Sequence, residues 1–284
     1  MKYLLLFLLL ICTTVQAQFG FNGPEIGIYN RLIAVASSTP TPLIYYNGVT
    51  NVVGGVMQMI DAQGNLNARA LGNFPTVHSY TDANSVVYSN CWNISTAAAT
   101  ALSNSLPGTA YIPTNSGTIA VKILTKSASA SVQCDVLGIF TSGGRNSFVL
   151  PLRSTASPYS QYVQAPVFTS TSQSGVYYST DFTTTFGSTL GTAYRIKNDN
   201  LFHWYVISWG PTTIDAAYDT IYASTLRTAP GVWGIDNNAD YATSFKFTIG
   251  FSAANENCNV EFNKWQYYNT QLTSNQIYTI VTTQ

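Results

Sequence analysis

Beyond an apolar N-terminal run, this chain carries no long apolar stripe at the 3.6-residue spacing of a helix. β-Branched and aromatic residues recur instead in short runs cut by Gly, Pro, Asn and Ser. Candidate strands fall at 26–35, 42–46, 52–60, 85–88, 118–125, 132–140, 147–152, 162–168, 175–180, 192–196, 201–209, 214–222, 245–251 and 259–268. So many short strands predict an all-β protein, two antiparallel sheets packed face to face. The run after Tyr268 breaks the pattern once, where Thr273 or Ser274 caps a helical turn and Leu272, Ile277 and Ile280 share one apolar face. A short C-terminal helix is therefore predicted.

The N-terminus reads as a cleavable secretory signal over 1–17: Lys2, an apolar stretch over 3–12, and small residues at Val15-Gln16-Ala17. That stretch is shorter than the ~20 residues that span a bilayer, so a secreted, extracellular protein with no membrane insertion is expected. Residues 18–75, with a Pro-rich turn at Thr39-Pro40-Thr41-Pro42 and a hairpin loop at Asp61-Ala62-Gln63-Gly64-Asn65, form an N-terminal β-rich extension or subdomain, and 76–284 the sandwich. Only 8% of residues are charged, against 46% hydrophobic, where ~25% charged is typical. Removing Lys2 with the signal leaves 11 basic against 12 acidic residues. A near-neutral chain does not attract nucleic acid or anionic lipid.

Cys12 leaves with the signal, and Cys91, Cys134 and Cys258 enter an oxidising compartment. Three thiols allow one disulfide in any of three pairings with one cysteine over, either buried or bridging two molecules. Asn93-Ile94-Ser95 is the glycosylation sequon, with Asn93 the acceptor.

Phe202-His203-Trp204-Tyr205-Val206-Ile207-Ser208-Trp209, Ile249-Gly250 and the run from Tyr268-Asn269 through Leu272, Thr273-Ser274 and Ile277 together resemble the closing segment of concanavalin A-like sandwiches, the laminin G-like branch in particular. The resemblance implies a jelly-roll sandwich and, with it, lectin or adhesion roles. The chain departs from the family where Phe202 replaces a Trp and where an Asp-Gly hairpin after the Trp-His strand is missing. Glucanases of this superfamily also place Glu-x-Asp-x-Glu on one strand; no such triplet occurs here. The chain's glutamates are Glu25, Glu256 and Glu261, the last two on opposite faces of any continuous strand. His78 and His203 are the two histidines, and His203, in an apolar strand, is expected to be a hydrogen-bonded packing residue. With no nucleophile elbow, Cys-x-x-Cys pair or phosphate loop, no catalytic residue is assigned and the chain is not expected to be an enzyme.

The polar constellation left is Trp233-Gly234-Ile235-Asp236-Asn237-Asn238-Ala239-Asp240-Tyr241. Asp236, Asn238 and Asp240 alternate as the first ligands of many calcium loops do, and calcium is the one cofactor considered. Trp233 and Tyr241 would supply a sugar-stacking face. An ordinary Asx-rich turn explains the same residues and takes precedence. The expected role is binding of a glycan or an extracellular protein partner through loops. The rival role is a self-associating subunit of an extracellular filament, coat or virion surface.

Overall fold

The computed structural model describes residues 30–31, 38, 40–70, 72–95, 102–106, 116–126, 133–141, 146–154, 161–163, 167–168, 195–196, 199–226, 245–249 and 259–283. In chain order its strands are β1 Asn30–Arg31, β2 Ile44–Val53, β3 Val56–Asp61, β4 Ala68–Ala70, β5 Val77–Thr81, β6 Val87–Ser95, β7 Leu102–Leu106, β8 Gly117–Thr125 and β9 Gln133–Thr141. They continue as β10 Asn146–Ser154, β11 Gln161–Val163, β12 Val167–Phe168, β13 Arg195–Ile196, β14 His203–Trp209, β15 Thr213–Tyr218, β16 Ile221–Leu226, β17 Phe245–Ile249 and β18 Asn259–Tyr268, followed by the helix α1, Ser274–Thr283. Among the described residues no helix is long and apolar enough to cross a membrane. The signal at 1–17 and the strand expected at 175–180 lie outside the described residues.

Every pairing among the described residues is antiparallel, as expected for an all-β sandwich. One layer runs β1-β16-β15-β14-β8-β18. The free edge of β18 is shared: its first half pairs with β6 and its second half with β2. The strand β2 then turns the corner into the second layer, β3-β4-β7-β17-β9-β10. The corner is a register shift between Tyr46 and Thr50. Gly48 there has φ 78°, and a Cβ would overlap the carbonyl oxygen of Asn90. Only glycine tolerates both conditions.

The central strands β8, β14 and β18 are apolar on both faces because both are covered. One face buries Ile119, Val121, Ile123, Tyr205, Ile207, Trp209, Phe262, Trp265 and Tyr267. The β2 and β6 residues paired to it join in, Tyr46 tilting against Trp265 at 5.4 Å and Trp92 stacking on Phe262 at 5.6 Å. On the other face Ala120, Trp204, Val206, Ala217 and Tyr268 form a cluster with Leu272, Ile277 and Ile280 of the C-terminal segment.

Of the two capping candidates the structure uses Thr273. Its Oγ1 accepts the Gln276 N–H at 3.3 Å while Gln276 Oε1 accepts the Thr273 N–H at 2.9 Å, a reciprocal capping box, with Leu272 and Ile277 placed as the hydrophobic staple. The segment is tied down by Thr118 Oγ1 and Ser208 Oγ, which accept the Leu272 N–H at 3.1 and 2.8 Å.

Residues 214–222, expected as one strand, form a hairpin instead, β15 to β16, turning at Asp219-Thr220. Asp219 takes φ 48°, the left-handed conformation that Gly would supply in an Asp-Gly turn, and its carboxylate is held by the neighbouring strand β14. Its Oδ1 accepts the Trp204 N–H at 2.9 Å.

Candidate functional site

The helix covers only half of the outer face of the β8-β14-β18 layer. Over the other half lies the β5–β6 hairpin, whose register places His78 opposite Cys91 and Tyr80 opposite Tyr88. His78 and Tyr80 alternate to one side, and the register shift between the two pairs, with Asn90 at φ 58°, turns Tyr88 and Cys91, three residues apart, to that side as well. Cys91, Leu124 and Phe202 form the buried floor there, with Tyr80 and Tyr88 packed partly buried against it. Phe202 meets Tyr80 edge-on at 5.7 Å and Tyr88 at 4.4 Å. The position where the laminin G-like pattern has Trp therefore serves as the brace for two tyrosines.

Polar groups converge on these rings. The ammonium of Lys126 lies 5.0 Å from the Tyr80 ring centre, and that of Lys122 lies 5.0 Å from Tyr88 and 5.8 Å from Trp204. The Tyr80 hydroxyl donates to Asn200 Oδ1 at 2.6 Å, and Asn200 O accepts the Ala83 N–H at 3.0 Å, so the 199–202 loop is pinned to the hairpin. Asp82 Oδ1 shapes the turn by accepting the Asn84 and Val86 N–H groups, each at 2.9 Å. Burial, then the charge and hydrogen bond of Asp82, hold the Tyr88 phenol above its ordinary pKa, so it stays a donor.

Beneath this surface Glu261 is fully buried, its carboxylate paired with Lys126 and 3.5 Å from His78 Nε2. The acid weighed as a glycosidase group is thus closed off from solvent; Glu256 lies outside the described residues. At the neighbouring edge His203 sits between two carboxylates, Nδ1 to Asp219 Oδ2 at 2.8 Å and Nε2 to Asp199 Oδ1 at 3.1 Å. Burial lowers its proton affinity, but the hydrogen bonds and charges of Asp219 and then Asp199 outweigh it and raise the pKa. The packing role expected of His203 is the one it has, with two carboxylate partners as well.

Cys91 is a free, buried thiol in the structure. Burial is the main reason its pKa is pushed up to about 11, which makes it unreactive at neutral pH. Cys134 lies in β9, and its side chain, like Cys258, is outside the described residues. Asn93 is half-buried in β6, its amide donating to Asn259 Oδ1 at 3.3 Å and Val260 O at 3.4 Å. Trp233, Asp236, Asn238, Asp240 and Tyr241 all lie outside the described residues. Among the described residues no group of three or more His, Cys, Asp or Glu is placed to hold a metal ion. Sequence reasoning passed over Tyr80, Tyr88, Lys122 and Lys126. The available signal was Lys122, a lone cation inside the apolar run Ile119-Ala120-Val121-Lys122-Ile123-Leu124.

No protein-family model and no curated protein matches the sequence. Solved structures do match the fold. The botulinum neurotoxin serotype D binding domain has a TM-score of 0.53 at 11% identity over 86% of this chain and 52% of that one. The serotype D ligand binding domain in complex with N-acetylneuraminic acid has 0.51 at 10% identity, over 86% and 51%. Trypanosoma rangeli sialidase in complex with sialic acid has 0.50 at 12% identity, over 86% and 33%. The likeness is one of fold. This chain spans about half the length of the toxin domains and a third of the sialidase.

Proposed function

We propose that this chain is a secreted, non-enzymatic β-sandwich that binds glycan on the outer face of its helix-bearing sheet. The observation that carries the reading is the pair of partly exposed tyrosines, Tyr80 and Tyr88, braced by Phe202 and ringed by Lys122, Lys126 and Asn200. A sugar presents apolar C–H faces and a rim of hydroxyls; fixed aromatic rings beside fixed donors and acceptors answer both. Three matched proteins support the glycan part of the reading by what their descriptions say they are: a binding domain, a ligand binding domain holding N-acetylneuraminic acid, and a sialidase holding sialic acid. The laminin G-like ending points the same way. The loop with Trp233, Asp236, Asn238, Asp240 and Tyr241 enters as a calcium-dependent second contact.

A glycan array probed with the full chain, with and without calcium, tests this. Binding to a subset of glycans is expected, weakened at least about tenfold by Tyr80→Ala or Tyr88→Ala, the loss of one well-packed aromatic contact. Absence of binding in both conditions overturns the reading. Loss of binding with chelator assigns a role to the 236–240 loop.

One observation favours the rival reading of an assembly subunit. The β2–β3 hairpin ends in Val52-Val53-Gly54-Gly55-Val56-Met57, with Val52 55% and Val53, Val56 and Met57 43–44% exposed. Val52 pairs with Met57 and Val53 with Val56, so apolar side chains occupy both faces of the tip.

A further inference from the structure

We propose that Lys122 and Lys264 anchor the acidic group of the bound glycan, so that the ligand is a carboxylate- or sulfate-bearing sugar whose anion sits between the two ammonium groups. The inference rests on the glycan reading and adds its ligand class. Lys122 on β8 and Lys264 on β18 are direct register partners. Side chains directly opposite across an antiparallel pair have Cβ atoms about 5 Å apart, and like charges there repel.

Both lysines belong to the outer face. On β8, Ala120 lies in the cluster under α1 and Leu124 in the cluster under the β5–β6 hairpin, with Lys122 between them on the same side. The lysine pair therefore lies between helix and aromatic hairpin, beside the Tyr88 ring that Lys122 touches. Both side chains are half-buried. Burial lowers the pKa of each ammonium, and for Lys264 the charge of Lys122 adds to it; Asp219, Cys91 and Asp82 offset part of the effect on Lys122. An anion seated between two partly desolvated cations held face to face is attracted by both. Two cations in a chain of near-zero net charge suit one small anionic group and not a polyanion. The tyrosine beside them makes that group part of a sugar.

Titration calorimetry on the full chain tests the anchor, using a sialylated oligosaccharide, the same oligosaccharide desialylated, and a sulfated one. The acidic probes are expected to bind at least about tenfold tighter than the neutral one, the worth of one charge-assisted contact, with sialylated and sulfated probes separating carboxylate from sulfate. Lys122→Gln and Lys264→Gln each remove that preference. Arg69→Gln in the other layer leaves the preference unchanged. Equal binding of neutral and acidic probes, or unchanged acidic binding in both lysine variants, overturns the anchor and leaves the tyrosine-based reading standing. Binding of none of the probes overturns both.

Discussion

Asp61 shows how much one side chain settles. Its Oδ1 accepts the N–H groups of Tyr45 at 2.7 Å and Gln63 at 3.0 Å, and its Oδ2 those of Asn65 and Leu66, both at 2.9 Å. Four backbone donors of the corner where β2, β3 and β4 meet are satisfied by a carboxylate that is 2% exposed. Removing it strands buried donors, each costing about 1–3 kcal/mol with partial relief from water. Asp61→Ala is therefore expected to lower the unfolding free energy by about 3 kcal/mol, read as a shift in urea midpoint at constant slope. A shift within error of zero would mean the loop does not depend on that carboxylate. The sequence alone placed a hairpin loop at 61–65, since Asp, Gly and Asn favour turns. That the Asp would also reach Tyr45, sixteen residues back, was not legible, because nothing local specifies which distant amide comes to it.

At the scale of elements, β14 and the β15–β16 hairpin are joined by His203 between Asp219 and Asp199. The folded-state pKa of His203 is raised above its ordinary value of 6.5. Below 6.5 the imidazole is protonated folded or unfolded and the clamp contributes fully; as the pH climbs through the folded value the charge is lost and the contribution with it. Wild-type stability relative to His203→Gln is expected to decline as the pH rises above about 6.5, measured by chemical unfolding at each pH. Parallel profiles for the two proteins would rule the clamp out as an electrostatic element. The helix α1 was readable in advance, from Thr273, Leu272, Ile277 and Ile280, because cap and stripe are local patterns. The break of 214–222 into two strands was not. Asp219-Thr220 lacks the glycine that signals a tight hairpin, and its strained residue is held by Trp204 and His203 from another strand.

For the whole molecule, the pairing of β2 with β18 brings together segments more than two hundred residues apart. It joins both layers into one antiparallel network and leaves the β2–β3 tip projecting with Val52, Val53, Val56 and Met57 exposed. If that tip docks on a second copy, sedimentation velocity of the wild type shows larger species as concentration rises, and Val52→Ser with Val53→Ser returns a monomer, since each apolar side chain removed from such a contact costs ~1–2 kcal/mol. A wild type that stays monomeric at the highest concentrations removes the assembly reading.

The sequence by itself determined the fold class and the helix at the end, because binary patterning, turn residues and caps are properties of neighbouring residues. It also bounded the chemistry, through three glutamates, two histidines and few charges. Only the tertiary structure decided where the candidate site lies. Tyr80 and Tyr88 of one hairpin meet Lys122, Phe202 and Lys264 from three other stretches, and what unites them is the pleat together with the register shifts in the β5–β6 and β8–β18 pairs. Register fixes which residues meet there, and register depends on long-range pairing that no local window of sequence contains.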